Sequence, residues 1–434
     1  MSDTIDFETI DYFNEPSIIE EPYPYFAFLR QKGPVTLLPG YSDVYAVTGY
    51  REGLSVIQDS EHYSSVKSVS GPFPPLPFTP EGDDITEQIE AHRDKMSYSA
   101  LIVTQDPPKH ANTRALVMGL ITPKRLKENE EFMWKLADRL IERFADKGEF
   151  EVISDYAQFY ATLVIADLMG VPEKDHHKFD LPRSNLPGRL GDDPSRISRD
   201  PLEHVGKYFF KYLLWRRIFP RKDLMTRLAK ATYADGKRPK LIDLTAIATF
   251  MFGAGQHTTV LLLTMALRKL AEDQQLQQQL RDDRSLIPDF IEEMMRWQGA
   301  VKTEFRLVKR TTTLGGVELK PGATLAIMLS AMNRDPEHFE APDEFRLGRK
   351  NARDHVGFGR GIHACLGAPL ARAEVRISLE RLFDHTKNIR VDESKHGAAE
   401  TRHFGYEPTY ILRGMENLHL KFDPCTPTPA ESRV

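Results

Sequence analysis

Cysteine is scarce: Cys365 and Cys425 are the two in 434 residues. Two cannot build a disulfide framework, and the scarcity fits a reducing compartment. Positive charge is not in excess either, since 58 Lys and Arg stand against 63 Asp and Glu for a formal net charge of −5. That balance argues against a general nucleic-acid binder. No Gly/Ser-rich or charged linker divides the chain, so one domain over residues 1–434 is expected, although the length alone would allow about two or three. Nor is there an uninterrupted apolar run of membrane-spanning length: the most apolar window, 241–270, is broken by Asp243, Gln256 and His257. The first residues, Met-Ser-Asp-Thr-Ile-Asp-Phe-Glu, lack the basic and apolar regions of a secretory leader. The expectation is a cytoplasmic protein with no membrane and no nucleic-acid partner. The composition, 41% hydrophobic and 28% charged, is that of an ordinary globular chain.

Periodicity predicts a mainly α chain with a smaller β portion. Residues 35–38 and 44–47 read as a hairpin around Pro39-Gly40. Residues 71–80, Gly-Pro-Phe-Pro-Pro-Leu-Pro-Phe-Thr-Pro, cannot be helix or central strand, because proline removes donors and fixes φ. They form a loop that either covers a pocket or links helices. From 107 to 300 the pattern is helical, with helices expected over 130–144, 208–219, 243–272 and 286–298, interrupted by a proline- and arginine-rich mobile loop at 182–201. Turns at Gly315-Gly316 and Pro321-Gly322 punctuate a strand-rich stretch from 305 to 329. A last helix is expected over 367–383, and the Pro/Thr-rich tail 423–434 as disordered.

The decisive stretch is Phe358-Gly-Arg-Gly-Ile-His-Ala-Cys-Leu-Gly-Ala-Pro-Leu-Ala-Arg372. A glycine-rich loop presents one cysteine just before a helix start. Glycines let the backbone turn tightly and approach a bulky partner. Amides at Leu366 and Gly367 are expected to point at the sulfur and lower the thiol pKa, as helix N-terminal donors do. A lone cysteine in such a turn is ordinarily a buried packing residue. The spacing of Phe358, Gly359, Gly361, His363, Cys365 and Gly367, however, resembles the haem-binding loop of the cytochrome P450 family. That resemblance implies a triangular helical prism holding haem b (iron protoporphyrin IX) between a long central helix and the helix after the cysteine. Cys365 would be the axial thiolate ligand of the iron.

The resemblance extends from about residue 15 to 422. Glu293-Met-Met-Arg296 matches the family's Glu-x-x-Arg, a buried structural ion pair whose charges share one helix face. The usual third member, an arginine in a Pro-x-Arg-Phe segment, is replaced by Glu344 in Pro342-Asp-Glu-Phe345. His110 and Arg114, on one helix face, together with Arg306 and His363, match positions that bind the haem propionates. Charged donors suit a carboxylate there. Asn333-Arg-Asp-Pro-Glu-His-Phe339 and Leu412-Arg-Gly414 match further landmarks.

The segment Phe250-Met-Phe-Gly-Ala-Gly-Gln-His-Thr-Thr-Val-Leu-Leu-Leu263 sits where plain core helix is expected, yet carries glycines and four polar residues. Ala254, Gly255 and Thr258 match the family's oxygen groove, where a bent central helix places a hydroxyl beside bound dioxygen. His257 replaces the usual acid. Three roles are open to it: a proton shuttle, since neutral imidazole accepts on one nitrogen and donates from the other, a space-filling replacement, or a direct iron ligand.

The resemblance implies monooxygenation: one oxygen atom of O2 enters a C–H bond and the other leaves as water. Electrons would come from a separate ferredoxin and its reductase, docking near Lys109, Arg114, Arg125, Arg353, Arg360 and Arg372. A small hydrophobic substrate (terpenoid, steroid or aromatic) would contact Phe78, Ile102, Val301, Thr303 and Ile411, and the 182–190 loop. Lys302 is expected to be solvated. The alternatives are a peroxide-driven haem-thiolate peroxygenase and a non-catalytic haem-thiolate sensor.

Overall fold

Helices make up most of the described chain in the computed structural model, which describes residues 6–118, 121–179 and 203–425. The centre is the helix Leu241–Glu272, hereafter the long helix. Packed against it are the helices Gln158–Met169, Glu203–Ile218, Ile287–Gln298 and Ala368–His385, the last of which follows Cys365 and is called the cysteine helix. By length and composition the long helix is apolar enough to cross a membrane. However, 56% of its most apolar window is buried inside the protein, as a core helix requires. Its Leu244, Phe252, Leu263, Leu267 and Leu270 sit in one core with Leu140, Tyr156, Val164, Phe209, Leu379 and Leu382.

The expected helices appear with shifted ends. The helix predicted at 130–144 spans Pro123–Ile141, because Thr122 caps it by accepting from the Arg125 amide and proline occupies its first turn. The helices expected at 208–219 and 286–298 span Glu203–Ile218 and Ile287–Gln298. The mobile loop expected at 182–201 lies outside the described residues.

A five-stranded sheet flanks the helices in the order Val35–Leu37, Val44–Val47, Thr324–Ile327, Glu304–Val308, Tyr63–Ser64. The first two strands form the expected hairpin, with Val35 opposite Val47. Arg306 pairs with Leu325, so the sheet holds its guanidinium at a defined position. Gly315 and Gly316 turn the small hairpin Thr312–Leu314/Val317–Leu319 at φ of +53° and +83°, values that glycine tolerates. Residues 423 and 424, expected in a disordered tail, instead end the strand His419–Pro424, which pairs with Thr386–Val391 and Glu149–Glu151. The apolar alternation of Leu420 and Phe422 buries that strand and outweighs the proline content beyond it.

Glu293 and Arg296 are fully buried and bidentate, with 2.8 and 2.7 Å contacts. The third member is present after all. Arg349 donates from Nε to both Glu293 oxygens at 3.0 and 3.2 Å, and the Arg346 amide adds a 2.9 Å bond. Arg296 in turn donates to the carbonyls of Asn333, Pro342 and Glu344, which fastens the segment leading to the cysteine loop.

Candidate active site

The cysteine loop is a tight backbone construction. Gly359 and Gly361 adopt φ of +64° and +65°, and a Cβ on Gly361 would stand 3.0 Å from the Ile57 carbonyl oxygen. The Cys365 amide donates to the Phe358 carbonyl at 2.8 Å, closing the loop. Arg372 stacks over the Phe358 ring at 4.6 Å and pairs with buried Glu292, which His355 also contacts. Cys365 is exposed as a residue, while its sulfur is drawn in beneath the start of the cysteine helix.

Two expectations about this thiol are corrected. The amides that bond it belong to Gly367 and Ala368, not Leu366 and Gly367. The thiol pKa is also raised rather than lowered: withdrawal from water outweighs those amides and the more distant charges of Arg114 and Arg372. A neighbouring cation is needed to make it a thiolate.

Beside the loop, four basic side chains gather from three parts of the chain. The imidazoles of His110 and His363 lie 4.1 Å apart. Arg114 donates to the Ala364 carbonyl at 2.5 Å, and Ser65 Oγ stands 2.9 Å from His363 Nε2. Arg306 donates to its neighbouring Phe305 carbonyl and reaches Glu304 at 3.3 Å. His110 Nε2 is buried without a hydrogen-bond partner. The nearby carboxylate, Asp106, is already engaged by Arg93, Ser64 and the Ser65 amide. The His363 pKa is pushed down to about 2, first by burial and then by the positive charges of Arg306, His110 and Arg114. The cationic part of this environment, Arg306 and Arg114 beside the two imidazoles, suits an anion.

The polar residues of the long helix each face a different direction. Ala254 is exposed and Thr258, one turn on, is half-exposed. Thr258 Oγ1 donates to the Ala254 carbonyl at 2.8 Å. Gln256 turns to Thr162 on the neighbouring helix. Thr259 donates to the Gly255 carbonyl at 3.1 Å and to Glu374 of the cysteine helix at 3.1 Å. Gly255 allows close packing, since a Cβ there would meet Ile165 at 3.3 Å. His257 Nε2 bonds Glu407 Oε2 at 2.8 Å. The helix runs without interruption from Leu241 to Glu272, and Thr258 and Thr259 both bond back to carbonyls four residues earlier, an arrangement that favours local bending.

Of the expected substrate contacts, three are brought together. Val301 pairs with Leu412, and the Lys302 and Thr303 amides donate to the Ile411 carbonyl at 2.7 and 3.2 Å. The Thr303 hydroxyl is turned to Tyr12 at 2.5 Å. Ile102 packs in the core that contains the long helix. Phe78 lies in a separate small cluster with Ile85, Ile89 and Met96, its ring 5.0 Å from His92. The 182–190 loop lies outside the described residues. Lys302, expected in solvent, is 1% exposed and donates to the Thr409 carbonyl at 3.0 Å. Its chain position between two β contacts leaves the side chain no route outward.

Sequence reasoning missed Glu407, Glu374, Ser65 and Arg349. Arg349 alone carried a local signal, as an arginine four residues after Phe345 in a segment already marked for the ion pair. Among the described residues no group of three His, Cys, Asp or Glu is clustered to hold a metal ion. A metal at Cys365 must therefore bring most of its ligands with it.

A family model described as Cytochrome P450 matches residues 215–393. The substrate-free structure of Mycobacterium marinum cytochrome P450 CYP150A6 is 47% identical, with a TM-score of 0.90 over 97% of this chain and 100% of that one. Cytochrome P450 144 of Mycobacterium tuberculosis is 32% identical over 96% of this chain and 92% of its own length. Cyclomarin C epoxidase CymV of Salinispora arenicola is 34% identical over 67% of this chain and 74% of its own. With its cysteine loop, buried Glu-x-x-Arg pair and helical fold, the chain belongs to the cytochrome P450 family of haem-thiolate monooxygenases.

Proposed function

We propose that this enzyme inserts one oxygen atom of O2 into a C–H bond of a small hydrophobic substrate, in the cytoplasm, with electrons from a separate ferredoxin and its reductase. The observation that carries this reading is the pairing of an exposed cysteine in a glycine loop with a basic cluster whose buried His110 Nε2 has no hydrogen-bond partner. The residues fit haem b. Cys365 would ligate the iron, whose charge converts the thiol to thiolate. His110, Arg114, Arg306 and His363 would hold the propionates, and the unpartnered His110 Nε2 would gain an acceptor. Phe358, Gly359 and Gly367 would form the cradle around the sulfur.

When bound, the haem supplies oxygen activation and transfer. The chain supplies protons and orientation. Thr258 offers a hydroxyl on the face it shares with Ala254, where small side chains leave room. His257 Nε2 meets Glu407, so the imidazole can take a proton from that acid at Nε2 while giving up the one on Nδ1. This engagement of Nε2 favours the shuttle reading over iron ligation. Val301 and Ile411 line the substrate side with apolar surface. The likeness to a relative named as an epoxidase supports alkenes as well as C–H bonds as targets.

The test is a ferric optical titration of the holoenzyme against terpenoids, steroids and aromatic acids. A saturable low-spin to high-spin shift with one class identifies the substrate chemistry. Turnover of that ligand with ferredoxin and reductase is expected, and turnover with peroxide alone would overturn the electron-transfer reading.

A further inference from the structure

The helix Glu203–Ile218 buries one face in the usual way: Val205, Phe209 and Leu213 are each 0% exposed. Its opposite face is also apolar. Phe210, Leu214, Trp215 and Ile218 are 40, 45, 57 and 63% exposed, and Phe219 just beyond is 59% exposed. Residues 210, 214 and 218 form one stripe at helical spacing, and Trp215 stacks on Phe219 at 5.2 Å. Single exposed apolar residues are ordinary, whereas a contiguous patch marks an interaction surface.

The charge along this segment of the chain has one sign. From Val205 to Lys222 there is no Asp or Glu, while Lys207, Lys211, Arg216, Arg217, Arg221 and Lys222 are present. Arg216 is turned inward to Asp223, and Arg217 binds the carbonyls of Ala229 and Pro239. Lys211, Arg221 and Lys222 are left exposed at the rim. The Arg217 bond brings exposed Lys240 and Ile242 alongside, followed in the chain by exposed Asp243.

We propose that this face rests on an anionic lipid surface. Lys211, Arg221 and Lys222 would meet the headgroup phosphates, while Trp215, Ile218 and Phe219 enter the boundary with the acyl chains. Two other occupants fit less well. A second copy seated face to face would set the cations of the stripe against one another, since the chain from Val205 to Lys222 carries no acid of its own. A protein partner forms about one hydrogen bond per 100–200 Å², yet the exposed positions of the stripe hold no Ser, Thr, Asn, Gln, Asp or Glu. This contact lies on the membrane rather than across it, so it needs no long apolar run, and the composition-based expectation of no membrane partner passes over it. Beneath the stripe, Phe209 packs on Phe252 of the long helix at 5.7 Å, two residues before Ala254. A lipid-dissolved substrate would thus be presented one helix away from the candidate site.

The experiment is co-sedimentation of the full-length holoenzyme with vesicles of phosphatidylcholine alone or mixed with phosphatidylglycerol, at low and high salt. Binding to the anionic vesicles is expected, weakened by salt. The triple variant Lys211→Glu/Arg221→Glu/Lys222→Glu should bind at least about tenfold more weakly, since each cation near such a surface is worth about a factor of five. Trp215→Ser/Phe219→Ser should also lose binding while keeping the wild-type carbon-monoxide spectrum. Quenching of Trp215 fluorescence by brominated lipid, absent in Trp215→Phe, would place the ring in the lipid. No sedimentation with either vesicle, or sedimentation untouched by both variants, would overturn the proposal. So would concentration-dependent dimerisation, without lipid, that Trp215→Ser/Phe219→Ser abolishes.

Discussion

His257 Nε2 and Glu407 Oε2 stand 2.8 Å apart although 150 residues separate them in the chain. The loop bearing Glu407 is pressed against the long helix where Gly414 meets Leu261, so closely that a Cβ on Gly414 would lie 2.1 Å from Leu261 Cδ2. The Glu407 amide bonds the Gly414 carbonyl at 2.9 Å, which carries that fixed position to the carboxylate. An acid missing from the helix is thereby supplied from another segment, hydrogen-bonded to the imidazole that stands in its place.

Product formed per electron pair consumed should therefore fall in His257→Ala, and fall less in His257→Asp, which restores a carboxylate on the helix. Glu407→Gln should also lower coupling and raise the solvent isotope effect, because the amide cannot pass a proton. Equal coupling in wild type and His257→Ala would remove the shuttle role.

Arg349→Met should destabilise the protein by about 3 kcal/mol, the lower end for taking one partner from a buried ion pair, because Arg296 still holds Glu293. Urea unfolding of the holoenzyme measures this. A loss below about 1 kcal/mol, the range of a surface pair, would mean that Arg349 is dispensable.

Glu374 is buried on the cysteine helix with Thr259 as its hydrogen-bond partner, and its Oε1 has none. Burial pushes its pKa up to about 8, against the pull of the Thr259 bond. The adjacent Tyr156 and Tyr160 are held neutral by their own burial. Between an unfolded value of about 4.3 and this folded value, the native state binds the extra proton. Stability should thus fall as pH rises through that window, by up to about 1.4 kcal/mol per pH unit. Glu374→Gln should flatten this part of the profile, and an unchanged slope would show that the carboxyl ionises without cost.

Lys302 behaves in the opposite sense. Burial, aided by the charge of Arg413, lowers its pKa to about 7. Between this value and about 10.4 the unfolded chain binds the extra proton, so stability should rise with pH across that range. Lys302→Met should abolish the rise and raise stability at pH 6, where the wild type buries an ammonium. Chemical denaturation at several pH values tests both, and a lower midpoint for Lys302→Met at pH 6 would refute the reading.

Much of this protein is legible locally. Gly359 and Gly361 belong to a loop that needs left-handed φ, and the spacing from Phe358 to Gly367 carries the family resemblance that implies a thiolate ligand. Apolar periodicity located the long helix to within two residues at its start. His110 and Arg114 were placed on one face by spacing alone, and the fold brings that face to His363 and Ala364. These features follow from short-range sterics and helix geometry, which a sequence carries directly.

The remainder depended on packing between distant segments. The burial of Lys302 and the Glu407 contact to His257 lacked a local pattern, and the Arg349 contact to Glu293 had only a faint one. A charged residue reads the same in sequence whether it meets water or a counter-charge brought in from far along the chain. Residue types and spacing determined that this chain carries the cysteine loop of its family. Which side chains face that site, and which are sealed away as partners of one another, was decided by close packing of helices and sheet, where each buried charge must find a partner in three dimensions.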